Sequence, residues 1–329
     1  MRVIKELLLW LVFLLLIVAG LFAYYANSTL PLERIPFEFS LKKGTSLKSA
    51  AHQLKEAGGL NNEWLFVLLA RGLGQAGQIK PGNYQLDREV SPLELLNIIS
   101  KGRVAQSSLT VIEGSTFKEL RASLNNNPTL RHDSAPLSDA EILKRIGASE
   151  TTAEGLFFPD TYNYATGSSD LIVLKRAYQL MQRHLQSSWE KRDADLPFST
   201  PYEALILASI VEKETGQPSD RPMIASVFVN RLRKNMRLQT DPSVIYGMGD
   251  KFDGNLRKGD LTSDTPYNTY TRKGLTPTPI ALPGLAAIQA TLHPAPSRAL
   301  YFVARGDGSS HFSNSLIEHN NAVNRYQKK

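Results

Sequence analysis

The stretch TPYEALILASIVEKETG, Thr200 to Gly216, reads as a short helix with both ends written into it. Thr200 is a capping residue, Pro201 suits the first turn, and Glu203 stands three residues after the cap, completing a capping box. Gly216 is the expected stop, because glycine accepts the left-handed conformation that follows many helices. Almost every residue between is apolar, yet the helix ends on Glu212 and Glu214. At about 100° per residue, Glu214 continues the stripe of Leu207, Ile210 and Val211. Glu212 falls opposite, nearer Leu205, Ala208 and Ser209. A carboxyl that extends a buried stripe loses hydration, which disfavours its charged form, and the negative end of the helix dipole acts the same way. Such a group keeps a proton near neutral pH, the state a general acid needs. Both glutamates can equally be solvated residues at a helix end, and the helix alone does not choose.

Downstream, polar residues crowd together without helical or strand period. A helix from Pro222 to Lys234, with Ile224, Val227, Phe228 and Leu232 inside, leads to Met236-Arg237-Leu238-Gln239-Thr240-Asp241-Pro242. Pro266-Tyr267-Asn268-Thr269-Tyr270 and Pro277-Thr278-Pro279 follow. Loops of amides, carboxylates, hydroxyls and aromatics suit a sugar cleft, although loops also collect turn residues for structural reasons. Upstream, Asp170 to Lys191 reads as a long amphipathic core helix, and Glu154-Gly155-Leu156-Phe157-Phe158-Pro159-Asp160-Thr161-Tyr162 alternates aromatic and polar residues.

The N-terminal part is organised differently. Leu7 to Tyr25 carries no charge, and as a helix its 19 residues would span about 28 Å, close to a bilayer core of about 30 Å. Its bulky aromatic end suits a membrane interface better than a signal-peptide cleavage site. Residues 1–6 are expected in the cytoplasm and the body outside. Residues 26–36 read as a tether whose extended reach is about 40 Å. Between 37 and 105 the order is strand (Phe37 to Leu41), helix (Leu47 to Glu56), helix (Asn62 to Arg71) and strand (Asn83 to Leu86), then a capped helix from Ser91. That order resembles a LysM-like module, a fold often used to hold glycans. Residues 106–195 read as a connecting part and 196–329 as a catalytic domain. The expected class is therefore α+β: a transmembrane helix (7–25), a LysM-like βααβ subdomain and a larger α+β catalytic domain.

Composition narrows the chemistry. The 329 residues hold no cysteine, which excludes disulfides and thiolate chemistry, and the net charge of +7 is spread without a basic block that would require nucleic acid. Six histidines show no ligand spacing, and no G-x-S-x-G elbow or phosphate loop is present, so neither a metal nor a cofactor is expected.

The motifs at Glu154 to Tyr162, Ala208 to Thr215, Val227 to Tyr246 and Tyr267 to Tyr270 together resemble the YceG-like family of endolytic murein transglycosylases. The resemblance implies that Glu214, second glutamate of the EKE phrase, is the catalytic acid. It implies cleavage of the MurNAc–GlcNAc bond of peptidoglycan to 1,6-anhydroMurNAc ends, and work alongside penicillin-binding glycan synthases at the membrane. Gln239, Asp241, Asn268 and Tyr270 are expected around the sugar. A catalytically silent peptidoglycan-binding scaffold, and a lysozyme-type hydrolase with Asp241 as second carboxylate, are the rival classes.

Overall fold

The structure is a computed structural model that describes residues 2–32, 35–86, 88–102, 105–214 and 217–327. It is α+β and divides into two compact units, residues 1–107 with 163–167, and residues 108–162 with 168–329.

In the first unit, helix α1 (Arg2–Asn27) is followed by β1 (Phe37–Leu41), α2 (Leu47–Glu56), α3 (Glu63–Gly72), β2 (Gly82–Leu86) and α4 (Pro92–Lys101). β1 and β2 pair antiparallel, from Phe37 opposite Leu86 to Leu41 opposite Gly82. The strand–helix–helix–strand order is the one expected. Ser46, Asn62 and Ser91 cap their helices through side-chain oxygens that accept from backbone N–H groups two or three residues on, which fixes the helix starts. Phe37, Leu54, Phe66, Tyr84, Leu95 and Ile99 form the core.

Residues Ile4–Asn27 are long and apolar enough to cross a membrane. The expected tether is not slack. α1 runs on to Asn27, Ala26 and Leu30 are buried in the core of this unit, and Leu30 N donates to Val90 O at 2.9 Å. The helix therefore enters the folded unit almost directly, and the free reach drawn from an 11-residue linker does not apply.

The chain passes between the units along β3 (Gln106–Thr110) and β5 (Thr161–Ala165). The second unit holds α5 (Phe117–Asn125), β4 (Leu130–Arg131), α6 (Asp139–Ile146), β6 (Ser168–Ser169), α7 (Asp170–Glu190), α8 (Pro201–Glu214) and α9 (Arg221–Arg233). After these come α10 (Asp241–Met248), α11 (Lys258–Thr262), α12 (Leu285–Leu292), the antiparallel pair β7 (Tyr301–Ala304) and β8 (Ser310–Ser313), and α13 (Leu316–Tyr326). Residues 106–195 and 196–329 do not form separate bodies, because α7 packs directly against α8 and α12.

α8 is the centre of this unit, packed by α7, α9, α10 and α12. Every residue from Ala204 to Val211 is buried, the mark of a helix enclosed on all sides rather than one with a single inward stripe. Its start is as read, with one shift. Thr200 Oγ1 accepts from Glu203 N at 3.2 Å, but the Glu203 carboxylate reaches back to Ser199 N instead of Thr200 N. The expected stop at Gly216 lies outside the described residues.

Candidate active site

Because α8 is enclosed all round, Glu212 does not stand on a solvated side, contrary to the stripe reading. Its side chain is only 5% exposed. Oε1 accepts from Arg221 Nη2 at 3.1 Å and Oε2 accepts from Gly284 N at 2.9 Å. Burial pushes this carboxyl above its ordinary range, while the Gly284 amide and the Arg221 cation pull it back. Both oxygens are engaged in joining α8 to the starts of α9 and α12. That is a structural task.

Glu214 has a different neighbourhood. It is half-buried, and its Oε1 accepts a hydrogen bond from Thr240 Oγ1. Loss of hydration raises its pKa to about 7, and the nearby charge of Asp241 adds to the rise. The Thr240 hydrogen bond and the Arg231 guanidinium oppose it without reversing it. A carboxyl raised toward neutrality can both give and take a proton there.

The segment facing Glu214 is fixed by buried polar groups. Arg231, at 7% exposure in the last turn of α9, sends Nη1 to Leu238 O (2.8 Å) and Gln239 Oε1 (3.3 Å), and Nε to Leu300 O (2.7 Å). Gln239 adopts a left-handed backbone (φ 52°), uncommon for a residue with a Cβ, and its N–H donates to Thr269 O at 3.2 Å. This turn carries the chain into Thr240, whose N–H donates to Thr269 Oγ1 at 3.0 Å, so the hydroxyl left over can serve Glu214. Asp241 follows as the first residue of α10, and Tyr270 OH donates to its Oδ1 at 2.5 Å.

Glu214, Thr240, Asp241 and Tyr270 are thus linked in one cluster, with Gln239 exposed beside Thr240. Asn268 is not on the open side. It is fully buried, its Nδ2 donates to Asp260 O (3.1 Å) and Ser263 O (2.7 Å), and its Oδ1 accepts from Tyr270 N (2.9 Å). Its place is behind Tyr270, holding the loop. Thr240 and Arg231 were missed in the sequence. Thr240 lies between two residues that were chosen, whereas Arg231 sits in a helix read as core and gives no local signal.

The fold and this cluster define an α+β protein with a carboxylic acid of raised pKa at the end of a buried helix, with the Thr240 and Tyr270 hydroxyls and the Asp241 carboxylate beside it. Comparison with known proteins is more particular. The family model described as YceG-like matches residues 39–325, and the chain belongs to the YceG-like family. An endolytic murein transglycosylase of Bacillus subtilis (strain 168) is 30% identical over 336 residues, covering 94% of this chain and 91% of that protein. One from Streptococcus pneumoniae serotype 2 is 27% identical over 355 residues, covering 95% of this chain but 64% of that longer protein. The crystal structure of a YceG-like protein from Listeria monocytogenes shares the fold with a TM-score of 0.55 and 28% identity, covering 87% of this chain and 99% of that one.

Proposed function

We propose that the chain is an endolytic peptidoglycan lytic transglycosylase, cutting the MurNAc–GlcNAc bond of nascent glycan strands and thereby limiting their length. The observation that carries this reading is Glu214, a carboxyl at the end of a buried helix that accepts from Thr240 beside the Asp241–Tyr270 pair, with burial raising its pKa toward neutrality. Its relatives' names support the reading. Ordinary glycosidases use two carboxyls that face one sugar. Glu212 cannot be the second, since both its oxygens are engaged with Arg221 and Gly284.

One acid suffices when the substrate supplies the nucleophile. Glu214 gives its proton to the glycosidic oxygen as the bond to MurNAc C1 breaks, leaving GlcNAc with a free 4-hydroxyl. The MurNAc 6-hydroxyl then attacks its own C1, and its proton returns to the Glu214 carboxylate. A 1,6-anhydro ring closes and no water is consumed. Thr240 holds the carboxyl in one orientation, and the Asp241–Tyr270 pair lies where positive charge develops on the sugar. Gln239, its Oε1 held by Arg231, offers its amide N–H groups to hydroxyls, and Asn268 keeps Tyr270 in place.

α1 crosses the cytoplasmic membrane with its short tail inside and the body outside, in the layer where penicillin-binding synthases extrude strands. The test is mass analysis of products from uncrosslinked glycan treated with the full chain in detergent. Long oligosaccharides with anhydroMurNAc ends are expected. Reducing MurNAc ends, heavier by one water, would make Asp241 a second carboxylate and the enzyme a hydrolase. No products with folded protein would leave a binding scaffold.

A further inference from the structure

The motif that opens at Glu154 has no part in the Glu214 cluster, yet it holds the other carboxyl of this unit raised to about 7. Glu154 is 8% exposed. Its Oε1 accepts from Phe117 N at 3.0 Å and its Oε2 from Tyr246 OH at 3.2 Å. Desolvation is the main cause of the shift, partly offset by these two hydrogen bonds. Glu154 thereby joins the first amide of α5 to the Tyr246 hydroxyl of α10, and an apolar residue in its place would take the acceptor away from both donors.

Beside it lies a cavity of about 660 Å³, a usual size for a small-ligand site. Its walls include Thr152, Glu154, Tyr246, Tyr267 and Thr278. The Tyr246 and Tyr267 rings meet edge to face, centroids 5.0 Å apart and planes at 62°, forming an aromatic corner. Hydroxyls ring that corner: Tyr267 OH and Thr278 Oγ1 are 2.9 Å apart, and Thr152 Oγ1 and Tyr202 OH are 3.1 Å apart. The cations at its edge are already neutralised, Lys118 by Asp250 and Arg121 by Asp139 at 2.7 Å. Such a site has no spare positive charge for a phosphate or carboxylate. It has aromatic faces for C–H surfaces and exchangeable hydrogen bonds for hydroxyls and amides, which is what a neutral sugar asks for.

Tyr246 shares α10 with Asp241 of the Glu214 cluster, about 140° further round the helix. It stands five residues after Asp241 on α10, about 7.5 Å along the helix axis at 1.5 Å per residue. We propose that the cavity beside Glu154 is a second saccharide subsite, which takes an uncharged N-acetylhexosamine unit of the same strand that Glu214 cuts. The proposal rests on the glycan reading above and adds that a strand must be long enough to occupy both places. An enzyme built so favours internal bonds over chain ends.

The test uses the full chain in detergent as Glu214→Gln, which cannot turn over, with tetra-N-acetylchitotetraose as probe and calorimetry as readout. Adding Tyr267→Leu, which removes one wall of the corner, is expected to weaken binding about tenfold, whereas Tyr267→Phe keeps the ring and stays within about twofold. Ala122→Trp, on the exposed side of α5 at the cavity wall, blocks the space without touching the hydrogen bonds and is expected to match Tyr267→Leu. It also decides the case if Tyr267→Leu does not fold. Unchanged affinity in the Ala122→Trp protein would overturn the subsite and leave the glycan reading standing. A Glu214→Gln parent that ignores the tetrasaccharide would overturn both. Competition by inorganic phosphate would overturn the assignment of a neutral ligand.

Discussion

The two flanks of α8 treat two carboxylates of one helix, two residues apart, in opposite ways. On the Glu212 flank, Arg221 and Gly284 N supply a cation and an amide, and the carboxylate becomes a joint between α8, α9 and α12. On the Glu214 flank, burial is not matched by a bonded cation among the described residues. One hydroxyl, from Thr240, is supplied, and a like charge stands close by at Asp241. Burial alone does not make an acid catalytic, since loss of hydration raises both carboxyls; what differs is whether the protein compensates the charge. An uncompensated carboxyl is a standing cost to stability that a fold retains where proton transfer needs it.

The largest expected effect follows from removing the uncompensated proton. Glu214→Gln should lower turnover on glycan by about 10²- to 10⁴-fold, the usual worth of a general acid. It should not lower stability. The folded pKa of Glu214, about 7, lies above its ordinary value of 4.5. The stabilisation linked to that proton is complete below the ordinary value and is lost as pH rises through 7. A thermal melt of Glu214→Gln should therefore match the parent near pH 5 and exceed it at pH 8. A lower melt at both pH values would mean that Glu214, like Glu212, is a joint.

Glu212→Gln should show the reverse pattern. It leaves Arg221, whose side chain is 13% exposed, without its carboxylate, and should cost about 3 kcal/mol of stability. Turnover per folded molecule should stay within a few-fold. The double change Glu212→Gln with Arg221→Gln should cost less than the two single changes added together, because neither leaves the other's charge stranded. Denaturant unfolding and active-site-normalised rates on the three variants measure both sides. Strict additivity would break the view of this flank as a compensated pair.

Why the sequence led to Glu214 is instructive, because the residue is retained as candidate while the reason changes. A helix with one inward stripe has a solvated side, and between Ala204 and Val211 α8 has none. The partners that separate the two glutamates come from Arg221, Thr240 and Gly284, none of which the helical period of residues 200–216 can announce. Elements with local signals were legible. The capped helices α2 to α4 and the apolar stripe of α7 appear where the sequence puts them, because caps and amphipathic period are properties of neighbouring residues. α10 lies in a stretch that reads as polar loop, and the sequence reading assigns no element to α12 or to the β7–β8 hairpin. α12 is almost wholly apolar and enclosed, and α10 carries a proline and a glycine within eight residues, so neither shows the stripe that marks a surface helix. Leu30 shows the same in small: with Leu32 and Ile35 it makes no helical or strand period in the linker, yet it docks the end of α1.

The smallest effect is also the sharpest probe of the Glu214 flank, because two conservative changes should move one titration in opposite directions. Glu214 must be protonated to act, so activity should fall as pH rises through about 7 in the parent. The Thr240 hydroxyl favours the ionised form and holds the pKa down. Thr240→Val removes that donor at nearly constant shape and should carry the alkaline limb of kcat/KM upward, by about one unit or less. Asp241 acts through its charge in the other sense. Asp241→Asn should carry the limb downward by a similar amount, whatever it does to the maximal rate, because the limb reports the pKa and the plateau reports catalysis. Full pH profiles of the parent and both variants, taken at low substrate, provide the measurement. Shifts in the same direction would mean that the two groups act on Glu214 through a shared rearrangement of α10 rather than separately. A limb that neither change moves would belong to another group, and the assignment of the acid to Glu214 would fall with it.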